Sequence, residues 1–291
     1  MRLSTPAAAL SVLLLGGALG CAPVDDEEAP SSTSSQAPAA DSCAKRELPL
    51  LTPGTLTIGT DSPAFEPWFS NNDPTTGQGF ESAVAYAVAQ ELGFSHDQVT
   101  WVTVPFNSSY KPGAKNFDFD INQISITPAR AEVVDFSDGY YQAAQAVLAL
   151  EGTPGAGAKT LADLQGLRLG AQTGTTSLTA IRDVIKPDAD PLVFEDTNAA
   201  KQALQNDQVD AILADLPTAF FISAVEIPQS IIVGQFQPAT GQQEEFGMLF
   251  EKGSRLRPCV DDALAALKED GTLDELEQRW LSDAVSVPEL K

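Results

Sequence analysis

The chain is 291 residues long, and 17 Lys and Arg against 40 Asp and Glu leave a net charge of −23 with the single His neutral. So acidic a surface repels nucleic acid and anionic lipid headgroups, and 43% hydrophobic residues describe a globular protein, not a multi-span membrane protein. One His leaves little material for His-based metal sites or a Ser-His-Asp triad, so no metal and no cofactor are expected.

At roughly 150 residues per domain, the length fits one large domain or two modest lobes. Arg2 precedes an apolar run from Ala7 to Leu19, and small residues lead to Leu19-Gly20-Cys21. This pattern describes an export signal over residues 1–20, too short for a good membrane span. Leu-Gly-Cys in that setting resembles a bacterial lipoprotein lipobox, which implies cleavage before Cys21 and acylation of its thiol. A secretory peptide with an incidental Cys is the alternative. With Cys21 so used, Cys43 and Cys259 remain as an even pair in an oxidising compartment, and a disulfide is the default. From Ala22 the composition shifts to Pro, Ser, Thr, Ala, Gln and acids. Residues 21–49 therefore read as a lipid anchor and disordered tether, with the folded body starting near Leu50.

Strand and helix signals then alternate. Leu56 and Ile58 begin a strand that ends at Gly59-Thr60-Asp61, and Phe80 to Leu92 follows helical spacing, closed by Gly93. Val99 to Val104 and Phe117 to Ile124 read as strands. Thr127-Pro128 is an N-cap with a first-turn proline, opening a short helix that carries Arg130. Strands follow over Leu167 to Ala171, Leu192 to Phe194 and Val209 to Leu213. Helices follow over Ser177 to Val184, Asn198 to Asn206 and Pro217 to Val225. A strand from Phe246 to Phe250 and helices Val260 to Leu267 and Leu273 to Leu281 finish the chain. Such alternation predicts an α/β fold with mostly parallel sheets covered by helices on both faces.

Open parallel sheets bind ligands at the carboxyl ends of their strands. Four stretches fall there: Asp61 to Trp68, Ser125 to Arg130, Gln172 to Ser177, and Asp215. Together they supply a guanidinium, carboxylates, hydroxyls and aromatic faces, a set suited to a zwitterion. The guanidinium can grip a carboxylate in bidentate fashion while an ionised Asp accepts from an ammonium. Each element also has a plainer reading. Arg130 could pair with Glu132 on the surface, Asp215 could cap a helix, Gly174-Thr175-Thr176 could be a turn with an N-cap, and Phe65, Trp68 and Phe106 could be core.

The order and spacing of Gly59-Thr60-Asp61, Gly79-Phe80-Glu81, Ser125-Ile126-Thr127-Pro128-Ala129-Arg130, Asp135-Phe136-Ser137-Asp138, Gly174-Thr175-Thr176, Asp215 and Asp270-Gly271-Thr272-Leu273 decide between these. Over about Thr55 to Leu281 the chain resembles the polar amino-acid family (family 3) of solute-binding proteins that feed bacterial ABC importers. The resemblance implies a periplasmic-binding-protein-like type II clamshell, two α/β lobes joined by two crossing strands. Residues 50–142 and 247–291 would form lobe 1, and residues 143–246 lobe 2 with hinge strands at both ends. It also implies that Arg130 grips the ligand α-carboxylate with help from Ser125 and the Thr175-Thr176 turn. Asp215 would take the α-ammonium, helped by the carbonyl of Gln123. Asp61, Phe65 and Phe106 would face the ligand side chain, and Gln172 would help set specificity. Three departures stand out. Gln123 replaces a small residue, the Asp61 to Phe65 segment is one residue longer than usual, and Glu81 replaces an aspartate, a change expected to be neutral.

The expected function is that of an extracytoplasmic lipoprotein, not an enzyme, that captures a polar amino acid, basic or glutamine-like, and delivers it to an ABC permease as a monomer. A cyclohexadienyl-dehydratase-like enzyme, with Asp61 or Glu66 as its acid, and a ligand-sensing module are the competing classes.

Overall fold

The computed structural model describes residues 43–237, 243–281 and 287–291. The export signal, Cys21 and most of the tether lie outside them. Two five-stranded sheets form the two lobes. In the first, β1 (Leu56–Thr60) lies between β2 (Val99–Thr103) and β3 (Phe119–Asp120), all parallel. Beyond β3 come β12 (Leu249–Phe250) and then β4 (Asp135–Phe136), with β12 antiparallel to both neighbours. Helix α1 (Phe80–Glu91) connects β1 to β2, and α7 (Arg257–Glu269) and α8 (Thr272–Leu281) pack beside it. Leu56, Ile58, Phe80, Val84, Phe119 and Leu264 are wholly buried in the core between sheet and helices. Each such side chain contributes about 1.5–3 kcal/mol relative to exposure.

The second sheet runs β10 (Ser230–Phe236), β6 (Gln145–Leu150), β9 (Ala211–Asp215), β7 (Leu169–Gln172), β8 (Leu192–Phe194). Alternate residues of β6 enter different cores, Val147 and Ala149 on one face and Ala146 and Leu148 on the other, so helices cover both sides. Those helices include α4 (Thr176–Ala180), α5 (Thr197–Gln205) and α6 (Leu216–Phe221); a π-helical turn extends α4 through Ile185 and another extends α6 through Glu226. In this sheet the parallel expectation holds only for β7, β8 and β9, because β6 is antiparallel to both β9 and β10.

The lobes are joined by a ribbon of β5 (Tyr141–Ala143) and β11 (Glu244–Phe246), paired antiparallel with Tyr141 opposite Phe246. The single strand expected over Phe246 to Phe250 is therefore two, β11 in the ribbon and β12 in the first sheet. Gly247 lies at the break, where a Cβ would come within 2.9 Å of Ile126.

Both ends of the body differ from expectation. It begins before Leu50, since Leu48 is buried and Cys43 is disulfide-bonded to Cys259 on α7 with the Cα atoms 5.4 Å apart. Residues 287–291, expected with lobe 1, pack on the other sheet instead. Glu289 bridges Gln235, and the side chain of Leu290 is buried beside Phe236.

Candidate functional site

The carboxyl ends of the two sheets face each other across a cleft. Nine of the ten ligand-site residues expected from the sequence line one cavity there: Asp61, Phe65, Phe106, Gln123, Ser125, Gln172, Thr175, Thr176 and Asp215. The tenth, Arg130, lies behind Ser125. It is 8% exposed, so it is no surface partner of Glu132. Helix α3 (Pro128–Ala131) is a single turn, with Pro128 at its first position and the Thr127 hydroxyl accepting from the Arg130 N–H, and it aims the side chain inward. Arg130 Nη1 donates to the Ser125 carbonyl at 2.8 Å, and Nη2 crosses the cleft to the Gly174 carbonyl at 2.9 Å. The guanidinium lies 4.8 Å from the Tyr110 ring centroid and 5.5 Å from that of Phe106. Burial lowers its pKa, while Tyr110, Glu244 and Asp215 favour the cation.

Asp215 is the last residue of β9 and makes no cap bond to α6. Its carboxylate accepts from Gln145 Nε2 at 3.2 Å. Burial, then the proximity of Glu244, holds its pKa well above the usual carboxylate range. Gln145 is a junction that the sequence reading missed. Its amide also donates to Glu244 Oε2 at 2.8 Å and its carbonyl accepts from Ser177 Oγ at 2.6 Å. Glu244 Oε1 in turn accepts from Ser125 Oγ at 2.6 Å, and the Ser125 and Thr176 hydroxyls lie 3.3 Å apart. This network runs from the first lobe through the hinge ribbon into the second.

On the side-chain side of the cavity, Asp61 accepts the Phe106 N–H at 3.0 Å and the Ser62 N–H at 2.7 Å. Burial nevertheless raises its pKa. Gln172 accepts from the Thr197 hydroxyl at 2.9 Å. Thr197 and Thr218, which also line the cavity, follow strands β8 and β9. The strand-end rule that found Gln172 and Asp215 reaches both, had it been applied one turn further.

Glu81 lies behind Gln123. It is wholly buried, accepting the Gln123 N–H at 2.7 Å together with the Gln123 side-chain amide and the Tyr140 hydroxyl. Burial pushes its pKa to about 7. Gln123 has φ of +47°, the left-handed region that favours glycine, and its bond to Glu81 holds that conformation. Close by in the chain, Asp120 is fully buried with neither carboxylate oxygen hydrogen-bonded among the described residues, and Asn122 Nδ2 and Thr60 Oγ1 are likewise unpaired among them. Burial, then the neighbouring Glu81, raises the Asp120 pKa far above the usual range.

Residues 56–283 match the model of bacterial extracellular solute-binding proteins, family 3. The chain belongs to this family. Among curated relatives of this solute-binding protein, the L-cystine-binding protein TcyJ of Escherichia coli strain K12 is 28% identical over 236 residues, covering 80% of this chain and 85% of the relative. The ABC transporter glutamine-binding protein GlnH of Bacillus subtilis strain 168 is 29% identical over 220 residues, covering 74% and 77%. Among solved structures, the arginine-, lysine-, histidine-binding protein ArtJ from Geobacillus stearothermophilus has a TM-score of 0.67 at 27% identity, covering 80% of this chain and 96% of that one. An ancestral arginine-binding protein bound to glutamine has a TM-score of 0.66 at 30% identity, covering 79% and 98%. The solute-binding protein is thus a type II clamshell, and its family is one of binding proteins, not of enzymes.

Proposed function

We propose that this solute-binding protein captures a polar α-amino acid between its lobes and presents it to an ABC permease. The observation that carries the reading is the placement of Arg130 and Asp215, one from each lobe, with the Ser125 and Thr176 hydroxyls 3.3 Å apart between them. An α-carboxylate would replace the Gly174 carbonyl on Arg130 as a stronger, charge-assisted partner. An α-ammonium beside Asp215 would restore the charge that burial suppresses. Asp61, with Glu244 behind the cleft, leaves a surplus of acidic groups, which favours a side chain that is cationic or donates hydrogen bonds and disfavours an acidic one. The resemblance of Leu19-Gly20-Cys21 to a lipobox supports cleavage after residue 20 and a lipid anchor at Cys21. A net charge of −23 supports the absence of nucleic-acid partners, and a monomer suffices for this role.

A thermal-shift screen of the twenty amino acids plus ornithine and citrulline tests the ligand class. Basic amino acids or glutamine should give the largest shifts. A largest shift from glutamate or aspartate would reverse the assignment of Asp61, and no shift at all would defeat the amino-acid reading. Replacing Cys21 by Ala should release the protein from the membrane fraction; unchanged membrane retention would defeat the anchor.

A further inference from the structure

Beyond the cleft lies a second cavity of about 210 Å³, against about 60 Å³ for the cleft cavity itself. The two share Phe65, Thr197 and Thr218 as a common wall. The lining of the second cavity also carries a pair of opposite charges from the second lobe. Lys201 Nζ donates to both carboxylate oxygens of Glu226, at 2.7 and 2.8 Å. Lys201 is only 8% exposed, and its ammonium lies 5.7 Å from the centroid of the Phe65 ring. An ammonium has three donors. Two rest on Glu226, and among the described residues no other oxygen takes the third. The first lobe adds Glu66 and Asn72 to the same cavity.

Resting on the amino-acid reading above, we propose that the ligand site continues past Phe65 and Thr218 into this second cavity, and that the cavity takes the far end of a long amino acid carrying its own carboxylate and ammonium. The charge pattern selects that class. A lone cation that reached this second cavity would meet Lys201, and a lone anion there would meet Glu226 and Glu66; a side chain that stops in the cleft meets Asp61 instead. A carboxylate on Lys201 with an ammonium on Glu226 satisfies both wall charges, and Glu66 adds to the attraction for the ammonium. The ligand class is therefore a diamino dicarboxylic acid, an amino acid with two heads. Because Glu66 and Phe65 come from one lobe and Lys201 and Glu226 from the other, the distal head would help hold the lobes together.

Calorimetric titration of the full-length protein with L-cystathionine, meso-2,6-diaminopimelate and S-methyl-L-cysteine tests this. At least one two-headed probe should bind at least roughly tenfold more tightly than S-methyl-L-cysteine, which has one head. Lys201→Met should remove that advantage and change S-methyl-L-cysteine affinity by less than about threefold. The double variant Lys201→Met/Glu226→Gln, which leaves no stranded carboxylate, should do the same. Equal binding of one-headed and two-headed probes, or equal weakening of both in the two variants, would overturn the distal site alone. Failure of every amino acid and every probe to bind the unmodified protein would overturn the amino-acid reading together with it.

Discussion

The first lobe backs the cleft with ionisable groups set deep in its sheet: Arg130 on a single helical turn, Asp61 at the end of β1, and the buried Glu81 and Asp120 behind them. The second lobe faces it largely with hydroxyls and amides at strand ends, Gln172, Thr175, Thr176, Thr197 and Thr218, and with one carboxylate, Asp215. One lobe therefore buries ionisable groups before any ligand arrives, and the other supplies short polar groups that are satisfied on contact. Direct contacts across the cleft follow the same division: Arg130 reaches the Gly174 carbonyl, and the Trp68 indole N–H donates to the Thr218 hydroxyl at 2.8 Å. Fixed charge costs stability when it is buried without a partner, so the comparison predicts strong binding effects on both sides of the cleft and stability effects concentrated in the first lobe.

The largest effect should come from Arg130→Ala. Removing one member of a desolvated charge pair costs about 2–5 kcal/mol, which corresponds to at least roughly 30-fold weaker amino-acid binding. Asp215→Ala should weaken binding by a similar factor. Calorimetry that finds either variant within about threefold of the unmodified protein removes that residue from the clamp.

Gly174→Ala should follow, with affinity lower by roughly tenfold. Its φ is +76°, and an added Cβ would stand 2.0 Å from Asn107 Oδ1 and 2.4 Å from the Tyr110 hydroxyl, both on the opposite lobe. Small-angle scattering with saturating ligand should show the variant more open than the unmodified protein. Identical profiles would mean that this contact does not limit closure.

Glu81 sharpens the comparison on the side of stability. Its carboxyl moves from an ordinary pKa of 4.5 to about 7 on folding, so the native state holds the extra proton between those values. Stability is therefore greatest below about pH 4.5, as far as this group is concerned, falls as pH rises toward 7 and is level above it. At about 1.4 kcal/mol per pH unit the fall is roughly 3 kcal/mol. The raised pKa values of Asp120 and Asp215 act in the same direction. In Glu81→Gln the amide oxygen can still accept from Tyr140 and from the Gln123 N–H once the Gln123 amide turns over, and the slope of melting temperature against pH should flatten. An unchanged slope would assign the titration elsewhere.

The smallest effect concerns Asp120→Leu, a swap of similar shape that removes two unpaired oxygens from a buried site. It should raise the melting temperature at pH 7.5 by about 2–4 °C for each kcal/mol recovered, with ligand affinity little changed. A lower melting temperature would show that Asp120 has a partner in solution.

Much of this was legible in the sequence for a physical reason. Helix α1 declares itself by 3.6-residue spacing, α3 by Thr127-Pro128, and the cleft by the residues that follow strands. Arg130 stood out through motif order, since spacing alone left it as a surface residue. The hinge-side strand β6 was not read, because Gln145-Ala-Val-Leu-Ala-Leu150 is buried on both faces and shows no alternation. The split between β11 and β12 was hidden in five apolar residues that only the approach of Ile126 to Gly247 separates. The surroundings of Glu81 were hidden, because an acid in the first turn of a helix shows nothing of its partners. Those partners, Gln123 and Tyr140, lie 42 and 59 residues away.

The position of β12 bears on how the chain is made. A ribosome delivers β3 long before the strand that pairs with its far side, since Asp120 faces Leu249 in the ladder. Until Leu249 emerges, β4 has no strand to pair with and the first sheet ends at an open edge, although every strand of the second sheet has by then been synthesised. The lobe that begins first is therefore the one whose sheet is completed last. Chains halted between Phe236 and Leu249 should carry an assembled second sheet beside a protease-sensitive first one, so translocation of an incomplete chain would expose the part that holds Arg130.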